Sequence, residues 1–133
     1  MTLAEAAALA VYLAAFGVAA GYHAWDIIRW GFLPYDFAPR PLNAFWTSLT
    51  LLDPLVIALL VTGRRRLGLS LAALVMAADV AANAYAFLAL GYPEFGRSLP
   101  MQSAFLGFVL GSLPFLWPEC ASKPARERVK GKR

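Results

Sequence analysis

The sequence holds one cysteine, Cys120, and one histidine, His23. A lone thiol makes no internal disulfide, and the pair is too few for a thiolate or imidazole metal centre, so neither metal nor cofactor is expected. Charge is equally scarce. Only 15% of the 133 residues are Asp, Glu, Lys or Arg, against 60% hydrophobic, and the mean hydropathy is +0.59. A soluble domain of this size cannot cover that much apolar surface with so few charges, so the composition points to an integral membrane protein. No internal repeat is evident, which argues against a duplicated-hairpin transporter. The net charge of +4 lies largely in the terminal stretch KPARERVKGKR. No aromatic-and-basic surface accompanies it, so nucleic acid is not an expected partner; anionic lipid at a membrane surface is.

What the chain has in plenty is long apolar runs. Four are long enough to cross a bilayer, which takes about 17–25 residues each: Leu3 to Trp25, Asn43 to Thr62, Leu67 to Leu90 and Pro100 to Trp117. The first has no basic segment before it and does not read as a cleaved signal. The expected fold class is therefore all-α, a four-transmembrane-helix bundle over residues 1–118 followed by a basic tail over 119–133. The basic clusters, GRRRLG between the second and third runs and the tail after the fourth, are separated by an even number of spans and share one side. The positive-inside rule makes that side cytoplasmic, giving an N-in/C-in topology. Asp26 to Leu42 and Gly91 to Pro100 then face outward, the first an aromatic belt or lid. A multi-pass protein of a plasma or inner membrane is expected if the source is bacterial, of the endoplasmic reticulum if eukaryotic.

Polar residues interrupt these runs at related depths. Asp53 and Asp79 stand near the middles of the second and third helices. A carboxylate at the bilayer centre costs about 2.5–3.5 kcal/mol on insertion scales, so both are expected to face the bundle interior. Asn83 lies one turn outward from Asp79, and Thr50 one turn outward from Asp53, with Trp46 on the same stripe. His23 and Asp26 share a face at the outer end of the first helix, and Gln102 opens the fourth. Pro54 withholds a backbone N–H from the Thr50 carbonyl and is expected to bend the helix. Each group has a plainer explanation: interhelical hydrogen bonds for Asp53, Asp79 and Asn83, headgroup contact for His23, pairing with Arg29 or Arg40 for Asp26, a helix start for Gln102. Their convergence on one half of one small bundle favours a pocket, closed by Ala, Leu and Val on the cytoplasmic side.

Four motifs resemble the EXPERA family of emopamil-binding and sterol-isomerase-like membrane proteins. GYHAWDIIRWGFLPY (Gly21 to Tyr35) is similar to its histidine-then-acid ending of the first helix. NAFWTSLTLLDPLVIALL (Asn43 to Leu60) resembles its aromatic entry to a helix with a buried acid. DVAANAYAFL (Asp79 to Leu88) resembles its third-helix polar pair, and FVLGSLPFLWP (Phe108 to Pro118) its proline-containing last helix. The chain departs from the isomerases in placing His23 and Asp26 three residues apart rather than four, and in lacking a midmembrane tryptophan on the last helix. The resemblance implies a hydrophobic sterol- or terpenoid-like ligand, amine-bearing forms included, with His23, Asp26, Asp53 and Asp79 as acid–base groups and Trp46, Thr50, Asn83 and Gln102 as ligand contacts. In isomerisation one acid protonates a double bond, and carboxylates and aromatic faces stabilise the cation before a base removes a proton. Two other functions fit the same residues: a proton-coupled exporter of cationic compounds acting as a homodimer, and a non-catalytic membrane assembly subunit.

Overall fold

Thr2 and Glu5 start the first helix with a reciprocal cap. The Glu5 N–H donates to Thr2 Oγ1 (3.1 Å) and the Thr2 N–H to Glu5 Oε2 (2.9 Å), satisfying two donors that an uncapped helix leaves open. In the computed structural model, which describes residues 1–119, four helices follow: α1 (Leu3–Trp30), α2 (Arg40–Val61), α3 (Arg65–Leu88) and α4 (Phe95–Leu116). All four are long and apolar enough to span a membrane, so the chain is a multi-pass membrane protein with an all-α bundle. The tail expected over 119–133, with Cys120, lies outside the described residues except for Glu119.

The helices alternate in direction. At one end the Arg65 guanidinium reaches Met1 Sδ (3.4 Å) and Arg66 donates to the Pro118 carbonyl (3.1 Å), bringing together the chain start, the α2–α3 turn and the end of α4. At the other, the Tyr92 hydroxyl donates to the Phe37 carbonyl (3.0 Å), joining the two remaining loops. These are the arginine end and the aromatic end. Each helix packs along its neighbour in chain order, whereas α1 and α4 touch over a short stretch only. There Tyr12 and Phe16 meet Phe105 and Phe108, and the buried Tyr12 hydroxyl donates to the Val109 carbonyl (3.1 Å) and stands 2.8 Å from Ser112 Oγ. At the α2–α3 turn, Gly63 takes φ 78°, and a Cβ on Gly68 would fall 2.7 Å from Leu60 Cδ2 and 3.2 Å from the Leu60 backbone nitrogen, so the glycine makes room for Leu60 where the two helices meet.

The core is apolar: Leu49, Val56, Leu69, Ala72, Val109 and Leu116 are all buried. Large apolar residues also cover the outside, among them Val18, Leu51, Leu55, Leu74, Leu110 and Phe115. Such a surface is at rest in hydrocarbon and would be an aggregation hazard in water. At the aromatic end, Arg29 lies over Trp25 (5.9 Å) and Trp30 (5.4 Å), a pairing suited to the headgroup level.

Several boundaries differ from the hydropathy reading. The first helix continues to Trp30 rather than ending at Trp25, so Asp26 is helical and not part of a loop. Its 28 residues extend about 42 Å at 1.5 Å per residue, more than the ~30 Å hydrocarbon core. The helix keeps its hydrogen bonds beyond the apolar stretch until Gly31, at φ 85°, turns the chain. α2 starts at Arg40 rather than Asn43, and α4 at Phe95 with Pro100 inside it. α2 runs unbroken through Pro54. The arginine half is not purely aliphatic, since it buries Tyr12 against Ser112.

Candidate functional site

The polar residues of the aromatic half form two separate groups, each assembled across helices. The first is built on α1, the following loop and α2. His23 and Asp26, three residues apart on α1, share a face. The loop between α1 and α2 folds back so that Tyr35 reaches both. The Tyr35 hydroxyl donates to Asp26 Oδ2 (2.9 Å) and stands 2.9 Å from His23 Nδ1. On the far side of the imidazole, His23 Nε2 is 3.9 Å from Asp53 Oδ2. Asp53 is 3% exposed, and among the described residues no hydrogen bond reaches its carboxylate. Four titratable side chains thus follow one another from the aromatic end to the middle of α2: Asp26, Tyr35, His23, Asp53.

The loop geometry that sets this order is held by Asn43. Its Oδ1 accepts from the Tyr35 N–H (3.1 Å) and its Nδ2 donates to the Leu33 carbonyl (3.0 Å). Leu33 has φ 59°, the left-handed region that a leucine adopts at a cost of about 1–2 kcal/mol. The two Asn43 bonds fix the neighbouring peptides and so hold that conformation. Aromatic faces pack the lid down: Tyr35 and Phe37 lie against Trp46 (centroids 5.6 and 6.3 Å), Phe37 meets Tyr92 (5.6 Å), and Trp46 stacks on Phe95 (5.1 Å). Burial raises the Tyr35 phenol pKa above its usual value, and its bond to the Asp26 carboxylate raises it further. The phenol therefore keeps its proton throughout the physiological range and remains a donor.

The second group joins α2, α3 and α4 around Asn83, which is 3% exposed. The Trp46 indole N–H donates to Asn83 Oδ1 (2.8 Å). Asn83 Nδ2 donates to Gln102 Oε1 (2.7 Å) and, at longer range, to Asp79 Oδ1 (3.3 Å). The expected Asp79–Asn83 stripe is present, with Gln102 on it.

Thr50 joins neither group. Its hydroxyl oxygen is buried without a hydrogen-bond partner, and Pro54, four residues on, has no N–H for its carbonyl. The pocket expected with Asp53 and Asp79 as its floor also differs from the cavity observed. A hollow of about 420 Å³ opens at the aromatic end, lined by Asp26, Trp30, Leu33, Pro34, Tyr35, Asp36 and Phe37. Of the eight expected site residues only Asp26 lines it. Trp46, Asn83 and Gln102 spend their polar atoms on one another, and Asp53 lies inward of Tyr35 and His23.

Tyr35, Asp36 and Asn43 were not singled out from sequence. Tyr35 and Asp36 follow Pro34 in a stretch that reads as surface loop, and only the fold-back over α2 gives them a role. Asn43, between Leu42 and Ala44, reads as a span boundary. No group of His, Cys, Asp and Glu side chains suited to a metal ion occurs among the described residues. No family model matches the chain, and no curated protein or solved structure matches it.

Proposed function

We propose that the protein binds a hydrophobic, amine-bearing ligand of sterol or terpenoid type at the aromatic end, with the amine in the hollow beside Asp26 and the apolar body in the adjoining hydrocarbon. The observation that carries this reading is the lining of the hollow. Two carboxylates, Asp26 and Asp36, stand among the faces of Trp30, Tyr35 and Phe37. Carboxylate charge and aromatic quadrupoles both attract a cation. The volume is of the size that small-ligand sites have. The EXPERA-like motifs favour the same ligand class, and GYHAWDIIRWGFLPY supplies Asp26, Trp30 and Tyr35.

The reading stops at binding. Isomerisation needs an acid and a base against the same double bond, whereas Asp53 and Asp79 lie outside the lining of the hollow. Export needs a polar path to the opposite face. Among the described residues of the arginine half the buried side chains are apolar except Tyr12, whose hydroxyl is spent on Val109 and Ser112. By the positive-inside rule the arginine end is cytoplasmic and the hollow opens on the other side.

The test is equilibrium binding, in detergent, of a labelled sterol analogue bearing a tertiary amine, beside its neutral alcohol counterpart. Asp26→Asn should lower amine affinity about tenfold or more, roughly 1.4 kcal/mol, and leave the weaker alcohol affinity unchanged. Equal amine binding by wild type and Asp26→Asn would refute the reading.

A further inference from the structure

The arginine end carries a cleft of its own, remote from the residues of the amine reading. Its volume is about 300 Å³, and it is lined by Gly63, Arg64, Arg65, Arg66, Leu67 and Pro118. Three consecutive arginines wall a space into which Gly63, at φ 78°, puts no side chain. The Arg66 bond to the Pro118 carbonyl (3.1 Å) ties this turn to the end of α4 and fixes the opposite wall. Arg65 spends one of its five donors on Met1 Sδ (3.4 Å), a weak acceptor. Arg64 is exposed and stands at the N-cap position of α3. The helix adds to the positive charge. A helix start has unsatisfied N–H groups and a positive partial charge, and α3 meets it with basic residues, no acidic residue in its first turn and no side-chain cap. At the same end of the bundle, α1 has Thr2 and Glu5 in those roles. An anion in the cleft answers both the arginines and the helix start.

We propose that this cleft binds an anionic phosphate group, with Arg64 and Arg65 as its principal donors. A guanidinium fork gives two parallel N–H bonds to two phosphate oxygens. The second guanidinium and the first N–H groups of α3 can take the oxygens that remain. A carboxylate has two oxygens only and is used up by one fork, so the donor count favours phosphate. Two sources carry the group: a soluble phosphate ester and a lipid headgroup. The surroundings favour the headgroup. Leu67 in the lining, and Val61 and Trp117 beside it in the chain, are exposed apolar residues on which acyl chains can lie. By the positive-inside rule the cleft faces the cytoplasmic leaflet, whose anionic lipids give that surface its negative potential. The basic tail attracts such lipids by charge alone, whereas the cleft offers a shape and oriented donors.

The full chain in detergent is titrated with dioleoyl phosphatidylglycerol or dioleoyl phosphatidylcholine, and bound lipids are counted by native mass spectrometry. The first phosphatidylglycerol should bind about tenfold more tightly than phosphatidylcholine. Arg64→Gln/Arg65→Gln should erase that preference with the melting temperature unchanged. If the pair melts early, Arg64→Gln alone, at an exposed side chain, should still lower the preference about threefold. Arg126→Gln/Arg128→Gln removes the same charge from the tail and should keep the preference within about twofold. Equal affinity of the wild type for the two lipids would overturn the site. So would a preference that the tail variant loses and the turn variants keep. Arg64→Lys/Arg65→Lys keeps the charge without the forks and should lose about threefold or more; full retention would overturn the guanidinium geometry. Glycerol 3-phosphate then decides the source. Its failure to displace phosphatidylglycerol at equal concentration supports the headgroup. Displacement would overturn the headgroup and assign the cleft to a soluble phosphate ester.

Discussion

The two polar groups of the aromatic half both reach a buried side chain, Asn83 in one and Asp53 in the other, yet they are made of different chemistry. The group around Asn83 is mostly neutral: an indole and two amides meet at 2.7–2.8 Å, and Asp79 is a longer third partner at 3.3 Å. Its polar atoms point at one another across three helices, as membrane helices are commonly joined. The group from Asp26 to Asp53 consists of four titratable side chains. It touches the hollow at one end and has a 3.9 Å gap at the other, too long for a hydrogen bond and short enough for an ion pair. A saturated neutral network lowers the energy of one arrangement. On the proposed reading the Asn83 group holds the fold and the group that begins at Asp26 serves the ligand.

The largest effect should come from the network that holds the fold. Asn83→Ala removes three hydrogen bonds and leaves the Trp46 indole and Gln102 amide without their partner. Membrane hydrogen bonds are each worth about 0.6–2 kcal/mol, so the loss should be about 2–6 kcal/mol, read as a lower melting temperature in detergent. A melting curve like that of the wild type would deny the network its structural role. Asp53→Asn should act on the other side of the comparison. The amide keeps the shape and can donate to His23 Nε2, so stability should hold, while amine affinity falls by less than the roughly tenfold loss expected of Asp26→Asn. A larger fall for Asp53 than for Asp26 would move the cation site inward, to where the sequence alone had placed it. The smallest effect is expected at Thr50→Val. The hydroxyl has no partner, so its removal should change stability by less than about 1 kcal/mol, or improve it. A clear loss would show that the hydroxyl is bonded in the membrane.

Sequence and structure agree most where hydropathy alone decides. Four apolar runs and two basic clusters are enough for four helices with alternating direction, because hydrocarbon leaves the backbone no other way to satisfy itself. Hydropathy ends at the bilayer surface and helices need not, which is why α1 runs on through Asp26 and Arg29. The Asp79–Asn83 stripe was legible because helical spacing puts both on one face; the bond from Asn83 to Gln102 crosses to another helix and was not. The pairing of His23 with Asp53 joins two helices whose relative register no spacing records. Tyr35 was invisible for a further reason: its role depends on the turn at Gly31, the left-handed Leu33 and the grip of Asn43 on the loop. The hollow at the aromatic end left no trace in the sequence because its walls, apart from Asp26 and Trp30, come from the α1–α2 loop, which has no helical spacing to read.

The most direct test pairs one substitution from each group. Affinity for the amine-bearing sterol analogue and melting temperature are measured on Asp26→Asn and Asn83→Ala in the same detergent, with affinity counted per folded molecule. A crossover is predicted: Asp26→Asn loses about tenfold or more in affinity and melts like the wild type, and Asn83→Ala melts early and binds within about twofold of the wild type, a difference of about 0.4 kcal/mol. If Asn83→Ala loses the ligand while Asp26→Asn keeps it, the assignment of the two groups is reversed and the hollow beside Asp26 is not the binding site.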